Sequence, residues 1–154
     1  MLITLAFYKG QGHRAVDRLQ DAAIRMRTGG IYSHVELIEG SAALNRREIC
    51  LSSSGRDGGV REAQIYLDAA KWDLLVMAVP SDPAEFIRQR IGQGYDYLAI
   101  VFSQAITAGL HERRRWMCSE IVAASIGLLN PHRFSPQQLH YSLAWCAHLR
   151  ISIA

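Results

Sequence analysis

The stretch YSHVEL at residues 32–37 decides the predicted fold, because it reads as a strand carrying a histidine and a carboxylate. Side chains alternate between the two faces of a strand, so His34 and Glu36 project together while Val35 and Leu37 face the other side. If the Val35 and Leu37 side is the core, the other side faces a cleft. An imidazole there can accept a proton near neutral pH, and a neighbouring carboxylate can fix its tautomer.

A second stretch, WMCSEI at residues 116–121, reads as the start of a helix that presents Cys118. The first N–H groups of a helix have no intrahelical acceptor, so they favour a thiolate and can stabilise an oxyanion. The two stretches together therefore predict a thiol nucleophile, Cys118, with His34 as its base. The competing interpretation of Cys118 is an inert buried cysteine. Glu120 could face the site or simply favour the helix dipole.

The third member of such a site, which would orient the histidine, has more than one candidate. Glu36 is the nearest in sequence, but two residues apart on one strand is not an ideal hydrogen-bonding distance. Polar residues at the end of the next predicted strand compete with it, namely Ser52, Ser53, Ser54 and Asp57. The glycine-rich segment at residues 55–59 either lines the cleft or forms a hairpin without a catalytic role.

Tyrosines near the predicted site have two interpretations. Tyr8, Tyr95 and Tyr97 could line the cleft or donate a hydrogen bond to an oxyanion. A tyrosine near a strand end or on a helix is more often a packing residue of the core or its rim, which is the alternative interpretation. Cys50 and Cys146 are interpreted as structural.

The hydrophobic pattern along the chain predicts strands first and helices later. Strands are expected at residues 1–8, 35–38, 49–53 and 72–79, with a short strand or irregular edge at 60–67. Helices are expected at about 13–27, from a Ser81-Asp82-Pro83 cap to about 92, from 95 or 96, from 118, and from 136 to about 148. This segregation predicts an α+β fold with an antiparallel sheet packed against helices, in one domain spanning residues 1–154.

Composition limits the classes of partner. The net charge is +3, with arginines clustered at 46–47, 88–90 and 113–115. Since no basic stripe interleaved with aromatics and no nucleic-acid motif accompanies them, nucleic acid is not an expected partner. The histidines and cysteines show no recognisable zinc spacing, so neither a metal nor a cofactor is expected.

The termini and the cysteines indicate a compartment. Three widely spaced cysteines do not suggest a disulfide framework, which fits a reducing environment. The apolar N-terminus begins with no basic region and has no small-residue cleavage site, so a buried strand is expected rather than a signal peptide. The apolar segment 95–110 is interrupted by polar residues and is expected to be a core helix, not a membrane span. A cytoplasmic protein, phage-encoded or released by lysis, is the resulting expectation.

Taken together, YSHVEL at 32–37 and WMCSEIVA at 116–123 resemble the circularly permuted branch of the NlpC-type, papain-like superfamily. In that branch the histidine strand precedes the cysteine helix, and lecithin retinol acyltransferase is a related arrangement. The resemblance implies Cys118 as the nucleophile and His34 as the base. It carries the third residue less securely, because Glu36 fits a His-x-Glu pattern while Ser53 lies where related proteins can place a polar residue.

The resemblance implies a cysteine hydrolase that acts on an amide through an acyl-enzyme, with cell-wall peptides as the substrate most associated with the superfamily. Two alternatives stay open. The same site could act on a thioester or lipid ester, or transfer the acyl group to another acceptor. Alternatively, the chain could be a non-catalytic binding or structural module that keeps the fold.

Overall fold

The computed structural model describes residues 1–10, 15–96 and 115–152. In chain order the elements are β1 (Leu2–Tyr8), α1 (Ala15–Thr28), β2 (His34–Glu39), β3 (Arg47–Ser54), β4 (Gly59–Tyr66), β5 (Trp72–Ala78), α2 (Pro83–Arg88), β6 (Gly94–Tyr95), β7 (Arg115–Trp116), α3 (Cys118–Ser125), a 3₁₀ turn (Pro131–Arg133) and α4 (Pro136–Ser152). The predicted α+β composition is confirmed.

The strands form one sheet in the order β5-β1-β2-β3-β4-β6-β7. All neighbouring pairs are antiparallel except the short β6–β7 pair, which is parallel. β2 therefore lies inside the sheet, between β1 and β3. The register pairs Tyr8 with His34 and Ala6 with Glu36.

Each face of the sheet carries its own apolar cluster, as strand alternation requires. The larger cluster joins the sheet to α2, α3 and α4, and it includes Val35, Leu37 and Ile121. The smaller cluster covers the other face and includes Tyr8, Ile38, Cys50 and Trp72, among others. The alternation of β2 puts His34 and Glu36 on the smaller cluster's face, while Val35 and Leu37 point to the helices.

Several predicted boundaries change in the structure. The uncertain edge at 60–67 is a full strand, paired with β3 over its whole length. The helix expected to reach about residue 92 ends at Arg88, and the helix expected to end at about 148 runs to Ser152. Tyr95 belongs to β6 and Asp96 is not helical, so neither starts the expected helix, and residues 97–110 lie outside the described residues.

Two local features that the sequence predicted are seen around α2 and the β3–β4 turn. The carboxylate of Asp82 accepts a hydrogen bond from the Glu85 N–H at 3.1 Å, and Pro83 follows in the first turn, as a helix cap requires. The glycine-rich segment forms the turn between β3 and β4. Gly59 has a φ of +154°, and a side chain there would lie 2.0 Å from the Gln93 carbonyl oxygen, so glycine lets β6 approach β4.

Within the described ranges, no helix combines the length and the apolar character needed to cross a membrane.

Candidate functional site

His34 and Glu36 are in direct contact. His34 Nε2 lies 2.7 Å from Glu36 Oε1, and the Glu36 side chain is completely buried. The contact forms because both side chains project from the same face of β2. Glu36 thus contacts the histidine ring directly, although its spacing in sequence was not ideal for this bond. The expectation that this side faces an open cleft is not met at Glu36.

Cys118 contacts the same imidazole. The structure places Cys118 at the first position of α3, with its side chain buried and close enough to the His34 ring to raise the pKa of His34. Tertiary structure therefore brings together the strand and the helix start that the sequence singled out.

The start of α3 is fixed by its own residues. The Ile121 N–H donates to the Met117 carbonyl, which opens the helix, and the buried Glu120 carboxylate accepts from the Met117 N–H at 3.3 Å. Glu120 therefore caps the helix start on which Cys118 sits, in agreement with the helix-dipole interpretation. N–H groups of a first helical turn have no intrahelical acceptor, so they are available to an anion near Cys118.

Arg61 holds the other side of Glu36. From β4 its guanidinium Nη1 donates to Glu36 Oε2 at 2.7 Å, and Nη2 donates to Oε1. Its Nε donates to Asp57 Oδ2 at 2.9 Å. Arginine forks of this kind are the strongest ion pairs that a carboxylate can make. A continuous series of contacts therefore runs from exposed Asp57 through Arg61, Glu36 and His34 to Cys118.

The charges of this series are strongly coupled. Burial by itself raises the pKa of Glu36, but the Arg61 hydrogen bonds and the nearby His34 and Arg61 charges outweigh it and hold that pKa at about 2. Burial likewise lowers the pKa of His34, yet the neighbouring Cys118 and Glu36 raise it to about 9. At neutral pH Glu36 is therefore a carboxylate and His34 an imidazolium.

The hydrogen bonds of the β3 serines in the described part of the chain go to groups other than the His34 ring. Ser52 Oγ donates to the Val35 carbonyl at 2.7 Å, which joins β3 to β2. Ser53 Oγ donates to the Trp116 carbonyl at 2.7 Å, which joins β3 to the segment leading into Cys118. The Ser54 carbonyl accepts from the Asp57 N–H at 3.2 Å, and the Ser54 side chain helps to lower the pKa of Asp57. Among these candidates, Glu36 is the one whose side chain hydrogen-bonds His34 Nε2.

The remaining candidates lie at different distances from this series. Asp57 reaches it only through Arg61, and about half of its side chain is exposed. Tyr8 is the cross-strand neighbour of His34, and its buried ring packs on Trp72 with centroids 4.9 Å apart. Tyr97 lies outside the described residues. Tyr95 is buried in β6.

Arg61 is the site residue that the sequence analysis missed. No motif surrounds it, and its segment was expected to be a short strand or an irregular edge. A signal was nevertheless present: Arg61 is in phase with Ala63 and Ile65, which are less exposed than the side chains that alternate with them at 62, 64 and 66. A charge in this less exposed phase of a strand needs a counter-charge, and that requirement pointed to a carboxylate elsewhere on the same face of the sheet.

No group of three or more His, Cys, Asp or Glu side chains in the described ranges is placed to hold a metal ion. Comparison of the chain with family models, with curated proteins and with solved structures gave no match.

Proposed function

We propose that this protein is a cysteine hydrolase that cleaves an amide bond through an acyl-enzyme. The observation that carries the proposal is one imidazole that hydrogen-bonds the Glu36 carboxylate and has the Cys118 side chain beside it. A nucleophile, a base and a group that orients the base are the three parts of a thiol-dependent acyl-transfer site. They come from two distant segments of the chain.

In the first half-reaction the Cys118 thiolate attacks the substrate carbonyl carbon and forms a carbon–sulfur bond. The carbonyl electron pair moves to oxygen, where N–H groups of the first turn of α3 can stabilise the oxyanion. Collapse of this intermediate breaks the carbon–nitrogen bond. The His34 imidazolium gives its proton to the leaving amine, which leaves a neutral imidazole beside the acyl-enzyme.

In the second half-reaction water replaces the amine. Neutral His34 takes a proton from water, and the resulting hydroxide attacks the thioester carbonyl. The carbon–sulfur bond then breaks, which releases the carboxylic acid and restores the Cys118 thiolate with the His34 imidazolium. Glu36 keeps its charge throughout, so it orients the ring and stabilises the imidazolium in both halves.

The order of the chain supports a papain-like origin for this site. The histidine strand β2 precedes the cysteine helix α3, which is the order that the permuted NlpC-type branch shows. A peptide amide, including a cell-wall peptide, is the substrate class that this resemblance favours. We therefore propose the circularly permuted papain-like fold together with the amidase activity.

A thioesterase or acyltransferase activity of the same site is the second candidate. The favouring observation is the setting of Cys118, which is buried in the larger apolar cluster beside Ile121 and Val122. An apolar acyl group would suit such surroundings better than a charged peptide. The chemistry at Cys118 and His34 would be the same, with an alcohol or thiol as the leaving group. A non-catalytic module that keeps the fold would instead leave Cys118 unreactive.

Thiol alkylation tests the catalytic proposal without knowledge of the substrate. The chain offers its own controls, because Cys50 is a buried free thiol and Cys146 is an exposed one. We expect iodoacetamide to modify Cys118 faster than Cys146 at pH 6, although Cys146 is the more accessible, because only Cys118 has an imidazolium partner. Mass spectrometry of digested protein gives each rate. Slow modification of Cys118, at or below the Cys146 rate, would contradict the proposal.

Acyl electrophiles then separate the two substrate classes. Peptide-like amide probes and long-chain acyl ester probes are offered to the native protein, and labelling at Cys118 is compared. Preference for the peptide-like probes favours the amidase, and preference for the long-chain esters favours the second candidate. The Cys118→Ala variant provides the background labelling.

A further inference from the structure

We propose that Arg61 is a fourth, positioning residue of this site, which keeps Glu36 ionised and turned toward His34. The inference rests on the proposed function, because positioning has a meaning only if His34 serves Cys118. The side-chain hydrogen bonds of Arg61 go to Glu36 and Asp57, not to Cys118 or His34. Arg61 therefore acts on His34 through Glu36.

The first step of the argument is the burial of Glu36. Its side chain has no exposed surface, whereas an isolated carboxylate in such a place would take up a proton rather than stay charged. A protonated Glu36 could not stabilise an imidazolium. His34 is also a counter-charge, but it is charged only while it carries the proton that catalysis moves. A permanent positive charge is therefore needed, and a guanidinium supplies one at every working pH.

The second step is the geometry of the fork. Arg61 contacts both oxygens of Glu36, and Oε1 also receives His34 Nε2. Two parallel N–H bonds fix the plane of the carboxylate, which a single contact cannot do. The direction of the His34 hydrogen bond is fixed with it. Rotation of the carboxylate would break at least one of three bonds.

The third step is the support of Arg61 itself. Asp57, in the β3–β4 turn, accepts from Arg61 Nε, so the third guanidinium nitrogen is held as well. The register of β4 on β3 places Arg61 opposite Ser52, so β3 lies between Arg61 and Glu36, and the long arginine side chain reaches across it. The charges alternate in sign from Asp57 through Arg61 and Glu36 to His34.

The groups that face Glu36 and His34 from the surrounding elements are few. They are titratable side chains from five neighbouring parts of the fold. In order they are Arg61 of β4, Cys118 of α3, Cys50 of β3, Asp57 of the β3–β4 turn, and Tyr8 of β1 opposite His34. Burial raises the pKa of the Cys50 thiol, so Cys50 stays neutral. Arg61 is therefore the fixed cation of this set.

Titration of Glu36 tests the proposal directly. The midpoint is read from its side-chain carboxyl carbon by ¹³C NMR, with Glu36→Gln to assign the signal. In Arg61→Gln, which removes the charge but keeps a hydrogen-bond donor, we expect the midpoint to rise by at least one pH unit. Arg88→Gln is the matched control, because Arg88 also contacts two carboxylates, and it should leave the midpoint unchanged. A rise of less than one unit in Arg61→Gln would overturn the proposal.

Arg61→Lys separates charge from geometry. Lysine keeps the positive charge but not the fork, so Glu36 should remain ionised while its orientation relaxes. We expect the downfield Nε2–H proton signal of His34 to move or broaden, and kcat to fall about tenfold with KM unchanged. An unmoved signal would overturn the positioning role, and this variant carries the test if Arg61→Gln does not fold.

The readouts distinguish failure of this inference from failure of the proposed function. Both NMR signals report on Arg61, Glu36 and His34 whether or not Cys118 is reactive. Slow alkylation of wild-type Cys118 would contradict the proposed hydrolase. The Glu36 titration would still show whether Arg61 keeps Glu36 ionised. Rapid alkylation with an unchanged Glu36 midpoint in Arg61→Gln would keep the hydrolase and reject the role of Arg61.

Discussion

Among the described residues, Arg61 and Arg88 each bridge a pair of carboxylates, and Arg61 is the less exposed of the two. Arg61 contacts Glu36 and Asp57, and its side chain is 15% exposed, with Glu36 fully buried. Arg88 contacts Glu39 and Glu62 with all three side chains more than a third exposed. Water screens the second set and replaces any bond that breaks, whereas the first set has no such substitute. The comparison teaches that burial, not the number of bonds, decides what an ion pair can control.

The largest expected effect is on turnover, at Cys118, where the series of contacts from Asp57 through Arg61 ends. If the series serves a nucleophile, Cys118→Ala should lower kcat by on the order of 10⁶, because loss of a nucleophile removes the covalent route. Hydrolysis of an activated ester such as p-nitrophenyl acetate provides the measurement. Cys146→Ala is the control and should keep the wild-type rate. If Cys118→Ala kept more than a tenth of the wild-type rate, Cys118 would not be the nucleophile, and the buried Arg61 bridge would have no catalytic role.

The comparison itself predicts unequal stability losses. Arg61→Met leaves a buried carboxylate without its partner and should lower the free energy of unfolding by about 3–5 kcal/mol. Arg88→Met breaks an exposed set and should cost about 0–1 kcal/mol. Urea unfolding followed by circular dichroism measures both. Equal losses in the two variants would show that burial does not separate these bridges.

A double substitution sharpens the same point. Glu36→Gln combined with Arg61→Met removes both charges, so it should recover part of the loss seen in Arg61→Met alone. The two residues are in contact, and their effects should therefore not add. Additive losses would contradict the direct coupling that the structure shows.

Acid should weaken the protein through Glu36. Its pKa is about 2 in the folded state and near 4.5 in the unfolded chain, so its stabilising contribution is present above about pH 4.5 and is lost as the pH falls toward 2. We expect the free energy of unfolding to fall between these values by about 3 kcal/mol more in the wild type than in Glu36→Gln. Urea unfolding at a series of pH values gives both curves. Parallel curves would contradict the ionised state of Glu36.

Alkali should affect turnover but not alkylation. The pKa of His34 is about 9, so the imidazolium that protonates the leaving group is lost above that pH. We expect kcat/KM to fall about tenfold per pH unit beyond pH 9, while iodoacetamide still modifies Cys118 because a thiolate needs no proton donor. A decline of both rates together would indicate unfolding rather than loss of the proton, and circular dichroism at the same pH values checks for it.

A small effect on stability is expected at Ser53, which supports the cysteine segment from β3. Ser53→Ala removes the bond to the Trp116 carbonyl and should lower the free energy of unfolding by about 1 kcal/mol. Reactivity of Cys118 should change little, because Ser53 makes no recorded bond to His34. A loss of Cys118 reactivity equal to that of Glu36→Gln would place Ser53 in the orienting role instead.

Local sequence pattern was sufficient for part of the site. Strand alternation puts His34 and Glu36 on one face of β2, as the pattern predicted, whereas their hydrogen bond was only one of several alternatives. The cap at Asp82 and the glycine turn before Gly59 are also local, and both are seen. The orienting candidates of β3 could not be separated in advance, because which of them reaches His34 depends on the register between two strands.

Contacts between distant segments were beyond the sequence pattern. β4 was uncertain as a strand because half of its residues are polar, and its pairing with β3 stabilises it. Arg61 was missed because its partner Glu36 lies two strands away, and only the pairing of the strands brings the two together. The expected cleft beside Glu36 was wrong because Arg61 and the smaller apolar cluster cover that face.

The sequence by itself determined the local chemistry of this protein: which side chains alternate together on β2, where α3 begins, and that Cys118 sits at its first position. Only the tertiary structure decided that the sulfur of α3 meets the imidazole of β2 and that Arg61 secures Glu36 from β4. The physical reason is that periodicity and capping act over a few residues, whereas contacts between strands and helices depend on a register that only the whole packed core fixes.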